Sequence, residues 1–169
     1  PLASPANKQA RIVADVVCGR EASYHGTQGT AIAKVFDMTV AVTGDNEAAL
    51  RRSGIEYYKC HTFTGSNAGY YPGSKMICLK LLFGHDGRIL GAQATGMKGV
   101  DKRIDVLATA MRAGMTVYGL QELELAYAPP FSSAKDPVNV AGYVAGNILE
   151  GSMKPYYMEE VVPNGAVLL

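Results

Sequence analysis

Apolar and polar residues alternate through the middle of the chain, and this pattern predicts a β-sheet. Residues 30–43, "TAIAKVFDMTVAVT", are β-branched and roughly alternating, which predicts one strand. Residues 55–64, "IEYYKCHTFT", predict a second strand. Two further apolar runs flank His85, Asp86 and Gly87, which form the clearest hairpin signal in the chain. The centre of the chain is therefore expected to form a sheet.

Apolar residues at helical spacing, bounded by capping residues, predict helices before, within and after the sheet. Ser4 and Pro5 form an N-cap and first-turn pair, and Gly19 follows the first apolar stripe. Asp136 and Pro137 begin the last helix in the same way. The predicted helices cover about residues 5–17, 46–54, 100–114, 116–124 and 137–150.

The order of these elements predicts the fold class. Strands come first and helices last, which indicates an α+β fold with a mostly antiparallel sheet covered by helices, rather than a doubly wound Rossmann sheet. The turn-rich "GREASYHGTQG" separates the first helix from the sheet, and the tail "YYMEEVVPNGAVLL" ends in a strand-like run. Both end pieces are consistent with the edges of neighbouring domains.

Composition excludes several classes of protein. The 169 residues are 48% hydrophobic, enough for one ordinary domain with extra pieces at its ends. Sixteen basic against fifteen acidic side chains give a net charge of +1, so nucleic acid and membrane surfaces are not expected partners. No membrane span or secretory signal is visible. The three cysteines have no metal-ligand spacing, which predicts no metal site and a reducing, cytoplasmic location.

Familiar catalytic signatures are missing from the sequence. There is no dinucleotide-binding glycine motif, phosphate-binding loop, nucleophile elbow or zinc-protease motif. Cys60 and Cys78 lie within apolar strands, where a buried and unreactive thiol is the expected state. The chain by itself is therefore expected to be inactive.

Two features of the predicted helices have ordinary structural interpretations. Lys102 and Arg103 accompany two aspartates on the first turns of a helix, which predicts a solvated face with local ion pairs. Gly142 and Gly146 are four residues apart on the last helix and allow another backbone to approach closely. That approach can occur within the domain or across a subunit contact, and the second option favours a homodimer.

Two tyrosine-bearing loops remain as candidates for chemistry. Tyr70 and Tyr71 lie in "AGYYPG", and Tyr127 precedes a Pro-Pro pair that restricts its backbone. The alternative is that these rings cap the edge of the core and direct their hydroxyls to water. Lys135 precedes a helix N-terminus, a place suited to a phosphate or carboxylate.

Several motifs together resemble a known family. The segments are "PLASPANKQARIVAD", "GTAIAKVFDMTVAVTG", "AGYYPG", "GVDKRIDVLATAMRAGMT" and "LELAYAPPFSSAKDPVNVAGYVAGNILEG". They resemble the C-terminal dimerisation domain of the FAD-dependent pyridine nucleotide-disulfide oxidoreductases over nearly the whole chain. The stretch "YAPPFSSAKDP" favours the coenzyme A-disulfide reductases, whose relatives include NADH oxidases, NADH peroxidases and NADH-dependent persulfide reductases.

This resemblance implies roles for the loop residues. In the family, the dimerisation domain of one subunit completes the active site of the other. Tyr127 matches the tyrosine beside the flavin and substrate, and Tyr70 matches a second active-site tyrosine, so both are expected to be catalytic. Lys135 matches a residue that contacts coenzyme A. The rigid Pro-Pro segment would then hold a phenol in position before substrate binds.

The resemblance also implies roles for the start of the first helix. Pro5 and Ala6 correspond to the turn whose helix N-terminus faces the flavin in the family, where partial positive charge stabilises the reduced, anionic cofactor. Asn7 falls where relatives place a substrate contact.

The implied domain organisation has three parts. Residues 1–28 correspond to the end of an FAD-binding domain, and residues 29–151 to the dimerisation domain. Residues 152–169 form a tail or the start of a rhodanese domain, since "NGAVLL" resembles the first strand of such a domain.

The implied function belongs to a longer enzyme. It would pass electrons from NAD(P)H through FAD and a cysteine to a disulfide or persulfide, with coenzyme A as the expected carrier. FAD and NAD(P)H are expected in that intact enzyme, none is expected on this chain alone, and the expected partner is a second copy. Two alternatives stay open: an NADH oxidase or peroxidase, and a purely structural association domain.

Overall fold

The computed structural model describes residues 3–157, which form a sheet with helices. The helices are α1 (Ala3–Val17), α2 (Glu47–Arg52), α3 (Val100–Arg112), α4 (Val117–Gln121) and α5 (Pro137–Leu149). The strands are β1 (Ala31–Val35), β2 (Met38–Gly44), β3 (Tyr58–Gly65), β4 (Met76–Phe83) and β5 (Ile89–Gly96).

The strands form one antiparallel sheet in the order β1-β2-β5-β4-β3. Helix α3 packs on β2 and β5, and α5 packs on β3 and β4, so the two helices cover one face. Leu79 and Ala94 from the sheet meet Leu107 of α3 and Ala141 of α5 in the buried core. The expected α+β class with a helix-covered antiparallel sheet is confirmed.

The prediction of one strand over residues 30–43 is wrong, because the segment folds back as a hairpin. Val35 pairs with Met38 across a tight turn at Phe36 and Asp37. Phe36 adopts a φ of 52° and is 93% exposed, a conformation that bulky residues rarely take. The turn lacks the Asn-Gly or Asp-Gly pair that usually indicates a hairpin, so the local sequence did not predict this hairpin.

The second face of the sheet is open over much of its area. Val40, Thr95, Cys78 and Phe63 lie opposite one another across β2, β5, β4 and β3, so they share this face. Val40 and Phe63 are exposed. Helix α2 contacts this face where Glu47 binds lysines of β3 and β4, away from the exposed Val40 and Phe63.

Gly142 and Gly146 of α5 allow close packing against α4 within the domain. A Cβ on Gly142 would lie 2.9 Å from Leu120 Cβ and 3.0 Å from the Val117 carbonyl oxygen of α4. Gly146 faces the side chain of Gln121 in the same way. Of the two alternatives, close packing within the domain or across a subunit contact, the structure shows the first, because both glycines face α4. They are therefore not evidence for a subunit contact.

Helix α1 agrees with the predicted helix but buries none of its residues. Its apolar stripe, including Val13 and Val16, is exposed. The boundary expected at residue 28 stays a prediction. The strand-like "NGAVLL" lies outside the described residues. Within residues 3–157, no helix combines the length and apolar character needed to cross a bilayer.

Candidate functional site

The loop between β3 and β4 is held closed at its base. The Ser66 N–H donates to the Lys75 carbonyl at 2.7 Å, and the Lys75 N–H donates to Ser66 Oγ at 3.0 Å. A turn follows in which the Tyr71 N–H donates to the Ala68 carbonyl at 2.9 Å. Tyr70 lies in this turn, so a closed loop base carries its side chain.

The segment between α4 and α5 contains a second turn. The N–H groups of Phe131 and Ser132 donate to the Ala128 carbonyl, at 2.9 and 3.1 Å, around the Pro-Pro pair. Asp136 then caps α5, because its Oδ1 accepts from the Val138 N–H at 3.1 Å. Tyr127 therefore precedes a turn that hydrogen bonds and two prolines restrain.

The two loops are joined, and their tyrosines meet. The Ala68 N–H donates to the Ser132 carbonyl at 2.9 Å, a direct backbone bond between the loops. The hydroxyl oxygens of Tyr70 and Tyr127 lie 3.5 Å apart, and either can be the donor. The rings are 78% and 48% exposed. The bond to Tyr127 and, to a lesser degree, desolvation raise the pKa of Tyr70, because both favour its neutral hydroxyl.

Lys135 is exposed in the same loop as Tyr127, two residues before the start of α5. The sequence suggested that an anion there would meet both this lysine and the helix N-terminus. The Asp136 carboxylate already occupies that N-terminus and accepts from Val138. An anion at this place would therefore depend on the Lys135 ammonium group rather than on the end of the helix.

The prediction of a solvated face around Lys102 and Arg103 is wrong for Arg103, which is 1% exposed. Its guanidinium pairs with the buried Asp136 at 2.9 Å. Arg103 lies three residues after Val100 and four before Leu107, on the buried stripe of α3. This spacing indicates burial of Arg103, but the charged residues beside it favoured the prediction of a solvated face.

The residues expected to contact flavin and substrate on α1 lie apart from the tyrosines. Pro5 lines a groove with Gln28 and Arg112, and Asn7 lines a neighbouring groove that also includes Arg112. Ala6 is exposed beside them. Arg112 is the last residue of α3, whereas Lys102, whose Nζ donates to the carbonyl next to Tyr127, is near its start. Ten residues of helix separate the two regions by about 15 Å.

Cys60 and Cys78, the two cysteines on strands, are not activated thiols. Burial raises the pKa of the Cys60 thiol to about 12, and burial also raises the pKa of Cys78. Cys18 is exposed on the segment after α1. Among the described residues, no three histidine, cysteine or acidic side chains cluster closely enough to hold a metal ion.

Comparison with known proteins identifies the family. The family model described as "Pyridine nucleotide-disulphide oxidoreductase, dimerisation domain" matches residues 30–137. The chain belongs to this family. The match covers all five strands, α2 to α4 and both tyrosine loops.

Three named proteins are similar to this chain in sequence or structure. The chain is 41% identical over 150 residues to coenzyme A disulfide reductase of Staphylococcus haemolyticus, covering 88% of this chain and 34% of that protein. It is 55% identical to reduced Bacillus anthracis CoADR-RHD, with a TM-score of 0.87 over 89% of this chain and 28% of the other. It is 42% identical to an NAD-dependent persulfide reductase from A. fulgidus, with a TM-score of 0.91 over 95% of this chain and 30% of the other. The chain thus spans about a third of the length of these proteins.

Proposed function

We propose that this chain is the dimerisation domain of an NAD(P)H- and FAD-dependent reductase of coenzyme A disulfide or persulfide, and that it completes the active site of a partner subunit. The observation that carries the proposal is the meeting of the Tyr70 and Tyr127 hydroxyls, 3.5 Å apart on two joined loops. The similarity to reductases named for coenzyme A disulfide and for persulfide supports the substrate class.

The tyrosine pair suits the chemistry of sulfur. When a disulfide or persulfide is cleaved, one sulfur leaves as a thiolate and carries the developing negative charge. A neutral phenol can donate a hydrogen bond to that sulfur, and the raised pKa of Tyr70 keeps its proton in place. Restrained loops reduce the cost of ordering these groups when substrate binds.

The first turn of α1 suits a flavin. The turn itself contains no acidic side chain, so none of its own residues neutralises the partial positive charge of the helix end. Ala6 and Asn7 are exposed there, and Pro5 is half-buried. When bound, FAD would accept electrons from the reduced nicotinamide and pass them on to sulfur, and this turn would stabilise its reduced form.

Two subunits would be needed to bring these groups together. Within one chain, the first turn of α1 and the tyrosine pair lie beside different ends of α3. In a homodimer, the tyrosines and Lys135 of one subunit would meet the flavin held by the other. The open apolar sheet face, with Val40 and Phe63 exposed, supports association of the chain.

Light scattering at micromolar concentration should give the mass of a dimer, and a monomer would contradict this part of the proposal.

Tyr127→Phe in the intact flavoenzyme tests the proposed catalytic role. The variant removes the hydroxyl and keeps the ring. Because a hydrogen bond to a charged group is worth about 1.5–3 kcal/mol, reduction of the disulfide should slow by about one to two orders of magnitude. Stopped-flow absorbance should show that flavin reduction by NAD(P)H is nearly unchanged.

Lys135→Ala is the contrasting variant. Its ammonium group would bind an anionic coenzyme A substrate equally in the ground and transition states, so apparent KM should rise with little change in kcat. If Tyr127→Phe reduces disulfide at the wild-type rate in an intact dimer, the tyrosine pair is structural. A pure association domain would then replace the proposed function.

A further inference from the structure

The buried Arg103 side chain contacts both the loop that carries Tyr70 and the loop that carries Tyr127. Its Nη2 donates to the Ser66 carbonyl at 3.0 Å, to Ser132 Oγ at 3.2 Å and to Asp136 Oδ2 at 2.9 Å. Its Nη1 donates to the Gly99 carbonyl at 3.1 Å. Ser66 begins the loop that carries Tyr70, and Ser132 follows the turn after Tyr127. One buried side chain therefore contacts the bases of both loops.

We propose that Arg103 is a positioning residue that sets the separation of the Tyr70 and Tyr127 hydroxyls, with Ser132 and Asp136 as its partners. The proposal rests on the proposed function for its catalytic consequence, but the positioning itself concerns this chain alone. Tyr70 is 78% exposed and Tyr127 is 48% exposed, so burial restrains Tyr70 little and Tyr127 only in part. The bases of the two loops therefore contribute to the relative position of the hydroxyls.

Charge and burial explain why the guanidinium can impose this geometry. A buried cation is costly unless its donors are paired, so Arg103 favours the loop conformations that present these acceptors. The side chains of Arg103 and Asp136 are 1% and 3% exposed, and Ser132 Oγ donates to Asp136 Oδ2 at 2.6 Å. The carboxylate thus orients both the guanidinium and the serine that ends the Tyr127 turn.

Lysine cannot reproduce this arrangement. The contacts of Arg103 come from three nitrogens, because Nε also donates to Asp136 Oδ1 at 3.3 Å. Lysine has one nitrogen, and its side chain ends about one bond short of the Nη2 position. Arg103→Lys keeps the charge opposite Asp136 and should lose at least one loop contact. Ser132→Ala is a gentler variant, because it removes one hydroxyl and leaves the backbone bond from Ala68 to the Ser132 carbonyl.

The test is an NMR titration of the full chain labelled with ¹³Cζ-tyrosine, with Tyr70 assigned from the spectrum of Tyr70→Phe. Tyr127→Phe gives the titration of Tyr70 without its partner. In Arg103→Lys, and to a smaller extent in Ser132→Ala, the pKa of Tyr70 should move from the wild-type value towards the value in Tyr127→Phe. Glu47→Gln is the control for general loosening of the fold, because it breaks a partly buried ion pair at the far end of β3 and should leave the titration of Tyr70 unchanged.

A wild-type titration of Tyr70 in folded Arg103→Lys would overturn the proposal. If that variant does not fold, a wild-type titration in Ser132→Ala overturns it. In the intact flavoenzyme, Arg103→Lys should slow disulfide reduction about tenfold, without slowing flavin reduction, because misplacing a catalytic group lowers the rate. If Tyr127→Phe has no effect on disulfide reduction, the proposed function fails, while the titration still decides whether Arg103 positions the pair.

Discussion

At the scale of single residues, the neighbours of Glu47 keep its carboxyl group ionised. Its carboxylate accepts hydrogen bonds from Tyr57 Oη at 2.8 Å, from Lys59 Nζ at 3.3 Å and from Lys80 Nζ. Burial alone would raise the pKa of Glu47, but the bonds from Lys80, Tyr57 and Lys59 together lower it from 4.5 to about 2. The ion pair therefore ties α2 to β3 and β4.

This shift predicts a pH-dependent contribution to stability. A carboxyl whose pKa is lower in the folded than in the unfolded chain stabilises the fold above pH 4.5, and the contribution is lost as pH falls from 4.5 towards 2. Glu47→Gln should lower the free energy of unfolding by about 3 kcal/mol at pH 7 and by about 1.4 kcal/mol near pH 3. Urea denaturation at both pH values measures the difference.

Glu56→Gln is the matched control for that experiment. The Glu56 side chain is 87% exposed and lies 3.5 Å from His85, so its pair is screened by water and should change stability by less than about 1 kcal/mol. An equal loss of stability in Glu47→Gln at pH 7 and pH 3 would show that packing, rather than charge, accounts for the role of Glu47.

At the scale of elements, the contact between α4 and α5 depends on a missing side chain. Gly142 lets α5 approach the backbone of α4, and Gln121 Nε2 donates to the Gly142 carbonyl at 3.1 Å. Asn139 Nδ2 adds bonds to the carbonyls of Leu120 and Leu123, at 2.9 and 3.0 Å. These contacts fix the start of the segment that leads to Tyr127.

Gly142→Ala should therefore destabilise the domain. The added methyl group would press on Val117 and Leu120, which costs more than the improved helix propensity returns, for a net loss of about 1–2 kcal/mol. Gly146→Ala is the comparison, because its methyl group would displace only the side-chain amide of Gln121. The lost bond from this amide to the Gly142 carbonyl is offset by better helix propensity, so stability should stay within about 1 kcal/mol of wild type. Thermal unfolding of both variants by circular dichroism measures the difference, and equal stability would contradict the packing argument.

At the scale of the whole molecule, the sheet and its helices form the stable body, and α1 contributes no buried residue to it. Contacts with this body begin later in the chain. Gln28 Nε2 donates to the Ala108 carbonyl at 2.9 Å, and the Gly44 N–H donates to the Gln28 carbonyl at 2.9 Å. Residues before the Gln28 segment therefore add little to the core.

Deleting residues 1–22 should leave the stability of this body nearly unchanged. We expect the midpoint of thermal unfolding to stay within about 2 °C of that of the full chain, since little apolar area is lost from the core. Differential scanning calorimetry of both chains measures it. A fall of more than about 5 °C would indicate that α1 is part of the same folding unit and would contradict a domain boundary near residue 28.

Local patterns in the sequence determined the fold class, the family and most helix limits. Capping pairs such as Asp136 with Pro137, and turn residues such as His85 to Gly87, act over a few residues and can be read from the chain. The α+β class and the family are confirmed. The proposed roles of Tyr70, Tyr127, Lys135, Pro5, Ala6 and Asn7 stay predictions.

Only the tertiary structure decided which distant residues meet. The pairing of Tyr70 with Tyr127 spans 57 positions, and the contact of Arg103 with Asp136 spans 33. The burial of Arg103 depends on acceptors from three separate segments, and the turn at Phe36 depends on pairing between β1 and β2. Such contacts arise when packing brings remote segments together, so local spacing can place Arg103 on a buried helix face but cannot identify its partners.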